Sequence, residues 1–289
     1  MSKSIITSSS KNASTLGKVF LVGAGPGAAD LITVRGAKLL AQADIVFHDA
    51  LVEPEMLELC PQAEKIAVGK RCGKLSSAQY FINKRLIDAA KQYKIIIRLK
   101  GGDPMLFGRA DEEINALKDA GIQVEIVPGI TAALAGAASL QQSLTLRGIS
   151  KSVAFITQAQ GSENLNPGSP ISNPNADTLI YYMGRNDAAK IARQLIQSTA
   201  NHSQNTPVHI LEAVSTLHER HWLSTLGELA KGKADQWFDS NSPALIMVGE
   251  SLRNTNNNEL SNGCSEGPSP EINDGLQNSQ ILTNRRRHA

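Results

Sequence analysis

Between residues 18 and 250, short β-branched runs alternate with stretches whose apolar residues recur at helical spacing. Residues 18–23 (KVFLVG), 45–47, 65–68, 95–99 (IIIRL) and 124–127 predict strands, and Pro128 and Gly129 stop the last of them. Helices are expected at 33–43 with Thr33 as N-cap, at 53–60 with Pro54 in the first turn, at 77–93 and at 111–120. This alternation predicts a parallel sheet with helices on both faces. Residues 131–140 (TAALAGAASL) carry small side chains and must pack closely against a sheet or a ligand. Strands at 152–157, 178–182, 208–211, 222–225 and 244–248 follow, with helices at 187–197 and 226–231 and a Gly/Ser/Pro/Asn loop at 161–176. The fold class expected is α/β, with one domain over 17–135 and a second over 136–251.

The two ends change the reading of charge. Residues 1–16 are Ser/Lys-rich and lack the apolar run of a secretory signal; a transit peptide would be richer in arginine, and the first is Arg35. Residues 252–289 are rich in Asn, Ser and Gly without periodicity. Both ends are expected to be disordered. The net charge of +2 resides in the head: Lys3, Lys11 and Lys18 give residues 1–18 a charge of +3, the tail sums to zero, and the body keeps −1. A neutral body with only twelve aromatic residues does not predict a nucleic-acid partner. No apolar stretch approaches the length of a membrane span. Cys60, Cys72 and Cys264 form no CxxC pair, which argues against a disulfide framework or zinc ribbon and suits a cytoplasmic protein without a metal site.

Ligands of open α/β sheets bind beyond the carboxyl ends of the strands, which singles out loops 24–30, 48–52, 69–76, 100–109 and 128–132. The first follows Gly23 and reads Ala24-Gly25-Pro26-Gly27-Ala28, a match to the dinucleotide pattern G-x-G-x-x-[GA]. Two details argue against that use. Residues 29–32 separate the loop from the helix, and Pro26 lacks the N–H that a pyrophosphate needs. The loop better suits close backbone approach by a flat, uncharged or cationic group. The fourth loop (RLKGGDPMLFGR, 98–109) ends a buried strand with two glycines, and Asp103 is placed to accept from hydroxyl or ammonium donors. Turn chemistry alone explains GGDP. It does not explain Arg98, Lys100, Arg109 and Arg147 beside the same loops.

VFLVGAGPGAADLITVRGAKLL, VGKRCG, RLKGGDPMLFGRADEE, VPGITAALA, YYMG and SPALIMVGE occur in this order. Together they resemble the tetrapyrrole methyltransferases, and among them the uroporphyrinogen-III C-methyltransferases, over residues 18–250. The resemblance implies a parallel-sheet N-terminal domain, a mixed-sheet C-terminal domain, an active site in the cleft between them, and a homodimer. It implies methyl transfer from S-adenosyl-L-methionine to two pyrrole carbons of uroporphyrinogen III, giving precorrin-2 for siroheme and cobalamin. By matching motif, Pro26, Gly101, Gly102, Asp103, Leu106, Thr131, Ala132, Met183 and Val214 fall on the donor site. Asp49 matches a proton acceptor and Lys70 a proton donor. Arg35, Lys100, Arg109 and Arg147 are candidates for the substrate's carboxylates.

The chain also departs from that pattern. Ser139, Ser143 and Leu146 replace Tyr, Pro and His of the relatives, while Thr145 and Arg147 remain. Glu212-Ala213-Val214-Ser215 replaces Glu-Asn-Gly-Thr, so Val214 stands where a glycine lets adenine reach the backbone. Alternatives stay open: a methyltransferase for another precorrin-type tetrapyrrole, a nicotinamide-dependent oxidoreductase using the Gly-rich loop, or a lapsed relative that binds cofactor or product as a sensor. Some relatives fuse a dehydrogenase–ferrochelatase domain, for which this length is not expected to have room.

Overall fold

A computed structural model describes residues 16–68, 75–157, 174–198 and 201–253. Strands β1 (Lys18–Gly23), β2 (Ile45–His48), β3 (Glu64–Ala67), β4 (Ile95–Lys100) and β5 (Val124–Val127) form a parallel sheet in the order β3-β2-β4-β1-β5. Helices α1 (Val34–Leu40) and α2 (Pro54–Leu57) cover one face, where Ile97 and Leu99 meet Leu40 and Met56. Helices α3 (Leu75–Ala89) and α4 (Ala110–Asp119) cover the other, where Ile96 meets Leu86 and Leu117. Burial on both faces is why the central strands read as continuous apolar runs.

Local chemistry sets the element ends. The Thr33 hydroxyl accepts from the Gly36 amide (3.2 Å), so the expected cap forms. The helix expected over 53–60 is a single turn, because Pro61 disfavours helical geometry at Cys60. The buried Cys60 thiol instead donates to the Leu57 carbonyl. Lys70, Arg71 and Cys72 lie outside the described residues, as do most of the head, the tail and the 161–176 loop.

The second sheet comprises β6 (Val153–Thr157), β7 (Thr178–Tyr182), β8 (Pro207–Glu212), β9 (Arg220–Thr225) and β10 (Ala244–Gly249), in the order β6-β7-β10-β8-β9. Only β6 and β7 pair in parallel, so the sheet is mixed. The small-sided segment is helix α5 (Ala132–Ser139), which packs on this second sheet. A Cβ on Gly136 would lie 3.4 Å from Leu211 Cδ2 and 3.5 Å from Met247 Sδ. Helices α6 (Ala188–Ser198) and α7 (Leu226–Ala230) pack on the opposite face, around Tyr181, Ile210 and Ile246.

At the carboxyl ends of β1, β4 and β5, main chain packs directly on main chain. A Cβ on Gly23 would stand 2.5 Å from Gly129 Cα, and one on Gly129 would stand 2.3 Å from the Gly102 carbonyl oxygen. Gly129→Ala is therefore expected to cost about 3 kcal/mol in urea unfolding. Gly121→Ala, with nothing within 4 Å but φ +70°, should cost only about 1 kcal/mol.

Candidate active site

The glycine crossing ties three of the expected loops together. Ala24 N donates to the Lys100 carbonyl (2.7 Å), and Gly25 and Gly102 exchange two backbone bonds of 3.2 and 2.7 Å. The Asp103 carboxylate accepts from Met105 N (2.8 Å) with one oxygen and from Gly129 N (2.9 Å) with the other. Asp103 thus holds the fourth and fifth loops in register, and each oxygen keeps a second acceptor position. What remains open is backbone. A Cβ on Gly101 would meet only Leu51 Cβ, at 3.6 Å, and one on Gly102 only Thr131 Cα, at 4.0 Å. Gly101, Gly102, Asp103 and Thr131 are brought together, and a space is left over the two glycines that a larger residue would fill.

The second sheet closes this space with Tyr182. Its hydroxyl pairs with Thr131 Oγ1 (2.6 Å) and accepts from Ala133 N (3.2 Å). Burial raises the Tyr182 pKa, opposed by those two bonds. The ring packs at 5.2 Å from Phe107 of the fourth loop and at 6.2 Å from Phe155. Leu51, Met105, Phe107 and Met183 are exposed around it, and Leu106 is half-buried. Phe107 and Met183 both take φ of +54°, a strained conformation for side-chain-bearing residues. Tyr182 and Phe107 were not among the residues singled out from sequence. Their signal was the aromatic beside each loop motif, in YYMG and in MLFG.

The first loop is fastened to the second half of the chain. Ala28 N donates to Ser215 Oγ (3.1 Å), and a Cβ on Gly27 would lie 2.6 Å from Thr216 Cγ2 and 2.9 Å from the Val214 carbonyl oxygen. Pro26, half-buried, stands in this seam. The Val214 side chain is buried with Ala133 and Leu211 in the core of the second sheet, and its carbonyl faces the first loop at Gly27.

The cations divide into three kinds. Alternation along β4 turns Arg98 and Lys100 to the same face as Ile96, under α4. There Glu113, itself fully buried, accepts from Arg98 Nε (3.1 Å), Lys100 Nζ (3.1 and 3.2 Å) and Gln79 Nε2 (3.2 Å). Arg98 reaches on through Nη2 to Asp49 Oδ1 at 2.5 Å. Lys100 is thus an internal counter-charge and not a substrate contact, because its strand position directs it beneath the helix. Burial, helped by the Arg98 charge, lowers its pKa against the pull of Glu113 and Asp49. Burial opposes the Arg98 charge too, but Glu113 and Asp49 outweigh it and its pKa rises. Arg35 also falls away from the cleft. It points to Glu125 on β5 (3.7 Å), whose other partner, Lys18, begins β1 at the far end of the sheet. Arg109 pairs with Glu112 through two short bonds of 2.6 and 2.7 Å at the surface, and Arg147 is exposed on the 146–150 turn. Acid on the buried stripe of α4 (Ala110, Glu113, Ile114, Leu117) was the sequence signal for the internal pairing. Glu113→Ala should cost about 3–5 kcal/mol in urea unfolding, since it strands two buried cations. Arg109→Ala, at an exposed pair, should cost less than about 1 kcal/mol in the same measurement.

The family profile of the tetrapyrrole (corrin/porphyrin) methylases matches residues 18–230. A uroporphyrinogen-III C-methyltransferase of Pseudomonas aeruginosa is 40% identical over 237 residues, covering 82% of this chain and 95% of the relative. A siroheme synthase of Psychrobacter is 42% identical over 239 residues, covering 82% of this chain and 48% of the relative. The chain therefore spans about half the length of the siroheme synthases it matches. The crystal structure of uroporphyrin-III C-methyl transferase from Thermus thermophilus complexed with S-adenosylhomocysteine superposes with a TM-score of 0.68 at 34% identity, covering 82% of this chain and 94% of that one. With the profile spanning most of the folded body and both sheets reproduced, the chain belongs to the tetrapyrrole methylase family.

Proposed function

We propose that this protein transfers methyl groups from S-adenosylmethionine to two pyrrole carbons of uroporphyrinogen III, giving precorrin-2 for siroheme or cobalamin synthesis. The observation that carries the reading is the open main chain at Gly101 and Gly102 beside Thr131, in a fold shared with an enzyme crystallised with S-adenosylhomocysteine. The nicotinamide alternative finds little support. The glycines of the first loop are taken up by contacts within the chain, Gly25 against Leu31 and Gly27 against Thr216, which leaves no cradle for a pyrophosphate there.

The donor, when bound, supplies a methyl group already activated on sulfonium. The protein's task is placement. Gly101, Gly102, Thr131 and Ala132 hold the donor by backbone, with Asp103, Leu106, Pro26, Met183 and the Val214 carbonyl around it. The apolar rim of Leu51, Phe107 and Met183 receives the macrocycle. Such orientation is worth about 7–11 kcal/mol of barrier. Methylation makes the ring carbon quaternary and leaves the macrocycle cationic, so a proton must leave from another ring position, and Asp49, at the carboxyl end of β2, is the carboxylate we assign to accept it. Lys70, outside the described residues, is assigned as donor by motif alone. Arg109 and Arg147 are the surface cations left for the substrate's carboxylates, each charge-assisted bond contributing about 1.5–3 kcal/mol.

The reading extends to a cytoplasmic homodimer acting without metal. Exposed Leu134, Leu146, Ile149 and Phe155 support self-association. Among the described residues no helix is long and apolar enough to cross a membrane, and no group of three His, Cys, Asp or Glu is placed to hold a metal.

Calorimetry should show micromolar-range binding of S-adenosylhomocysteine and none of NADH; the reverse pattern rejects the reading. Gly101→Leu, which fills the cradle, should weaken S-adenosylhomocysteine at least about tenfold without lowering the melting temperature. Asp49→Asn should keep that affinity and lose most turnover of uroporphyrinogen III under anaerobic reduction. A wild-type chain that binds the ligand but makes no methylated product would favour the sensor alternative.

A further inference from the structure

We infer that Arg98 is a positioning residue for the reaction, aiming the Asp49 carboxylate from beneath the cleft. The inference rests on the methyltransferase reading and on Asp49 as proton acceptor.

Arg98 joins two carboxylates of different standing. Glu113 is fully buried and Asp49 is about a third exposed, while Arg98 itself is 2% exposed. Its Nε is held by Glu113, Nη1 donates to the Leu99 carbonyl (3.1 Å), and Nη2 takes Asp49 Oδ1. Every atom of the guanidinium that could swing is therefore tied to the sheet or to α4. A planar fork fixed at two corners defines the direction of the third bond. The Asp49 backbone is pinned as well, its amide donating to the Leu99 carbonyl (3.2 Å) and its carbonyl accepting from Val52 N (3.2 Å). The carboxylate thus has Oδ1 held by Arg98, and the side chain stays about a third exposed at the carboxyl end of β2. Lys100 completes the arrangement: with it, two buried cations face Glu113 and Asp49, and the charges cancel. A network built for stability alone would close on Glu113. This one extends a further bond to the residue at the mouth of the cleft.

Arg98→Lys separates the two duties. One ammonium cannot span both carboxylates, and it should stay with Glu113, whose desolvation is complete. Asp49 is then released. The expected result is a fall in kcat of about 10- to 100-fold, with KM for uroporphyrinogen III, affinity for S-adenosylhomocysteine and melting temperature close to wild type. In an Asp49→Asn background the same substitution should change the single-turnover rate less than about twofold, because the group it aims is already gone. Should Arg98→Lys not fold, Arg98→Gln in the same pair of backgrounds serves instead. Wild-type kcat in Arg98→Lys, with turnover lost in Asp49→Asn, overturns the assignment and leaves the function standing. An equal loss in both backgrounds overturns it by showing a general structural role. Full turnover in Asp49→Asn removes Asp49 and Arg98 together, and a wild-type chain that yields no methylated product rejects the underlying reading as well.

Discussion

Main chain meets main chain where β1, β4 and β5 end, and the architecture of the cleft follows from that contact. Gly23, Gly102 and Gly129 approach so closely that none of the gaps between them admits a methyl group. The short distance lets Gly25 and Gly102 bridge, brings Asp103 to the Gly129 amide, and sets Gly101 and Gly102 at the surface of the crossing. Loops that depart from such a base keep their main chain in fixed register, which loops without it would not. The three glycines act as one rigid knot from which the loops depart.

Strand β4 carries two further duties. One face supplies aliphatic packing through Ile97 and Leu99, and the other places Arg98 and Lys100 on Glu113. Buried ion pairs contribute little net stability compared with apolar packing of similar volume. Their value here is direction: they connect the sheet, α4 and the end of β2 through bonds of fixed geometry. Tyr182 does the corresponding work from the second sheet, where one hydroxyl joins the Thr131 loop to the start of α5.

Strand and helix order was legible in the sequence, because burial on one or both faces writes itself as periodicity. Element ends were less so. Pro61 cut α2 to one turn, although it stood in plain view. The open main chain at Gly101 and Gly102 was readable from the glycines themselves. The place of Lys100 was not legible, because cations beside a loop motif look alike until the parity of the strand is applied. Residues 98 and 100 share the parity of Ile96, and that alone sends them under α4. The contact of Arg35 with Glu125 was hidden for a related reason, since helical position and not nearness in sequence decides which strand a long side chain reaches. Tyr182 and Phe107 could not be paired from sequence, as they are 75 residues apart and meet only once both halves have folded.

Ala213 and Ser215 take φ of +49° and +61° on either side of Val214. Between these two left-handed residues the Val214 side chain is buried, and its carbonyl oxygen faces Gly27. A valine here can therefore present the same backbone face to the first loop as a glycine would. A change of side chain at such a site is taken up by the interior beneath the backbone, so its cost is set by the packing around Ala133 and Leu211 and not by the surface above.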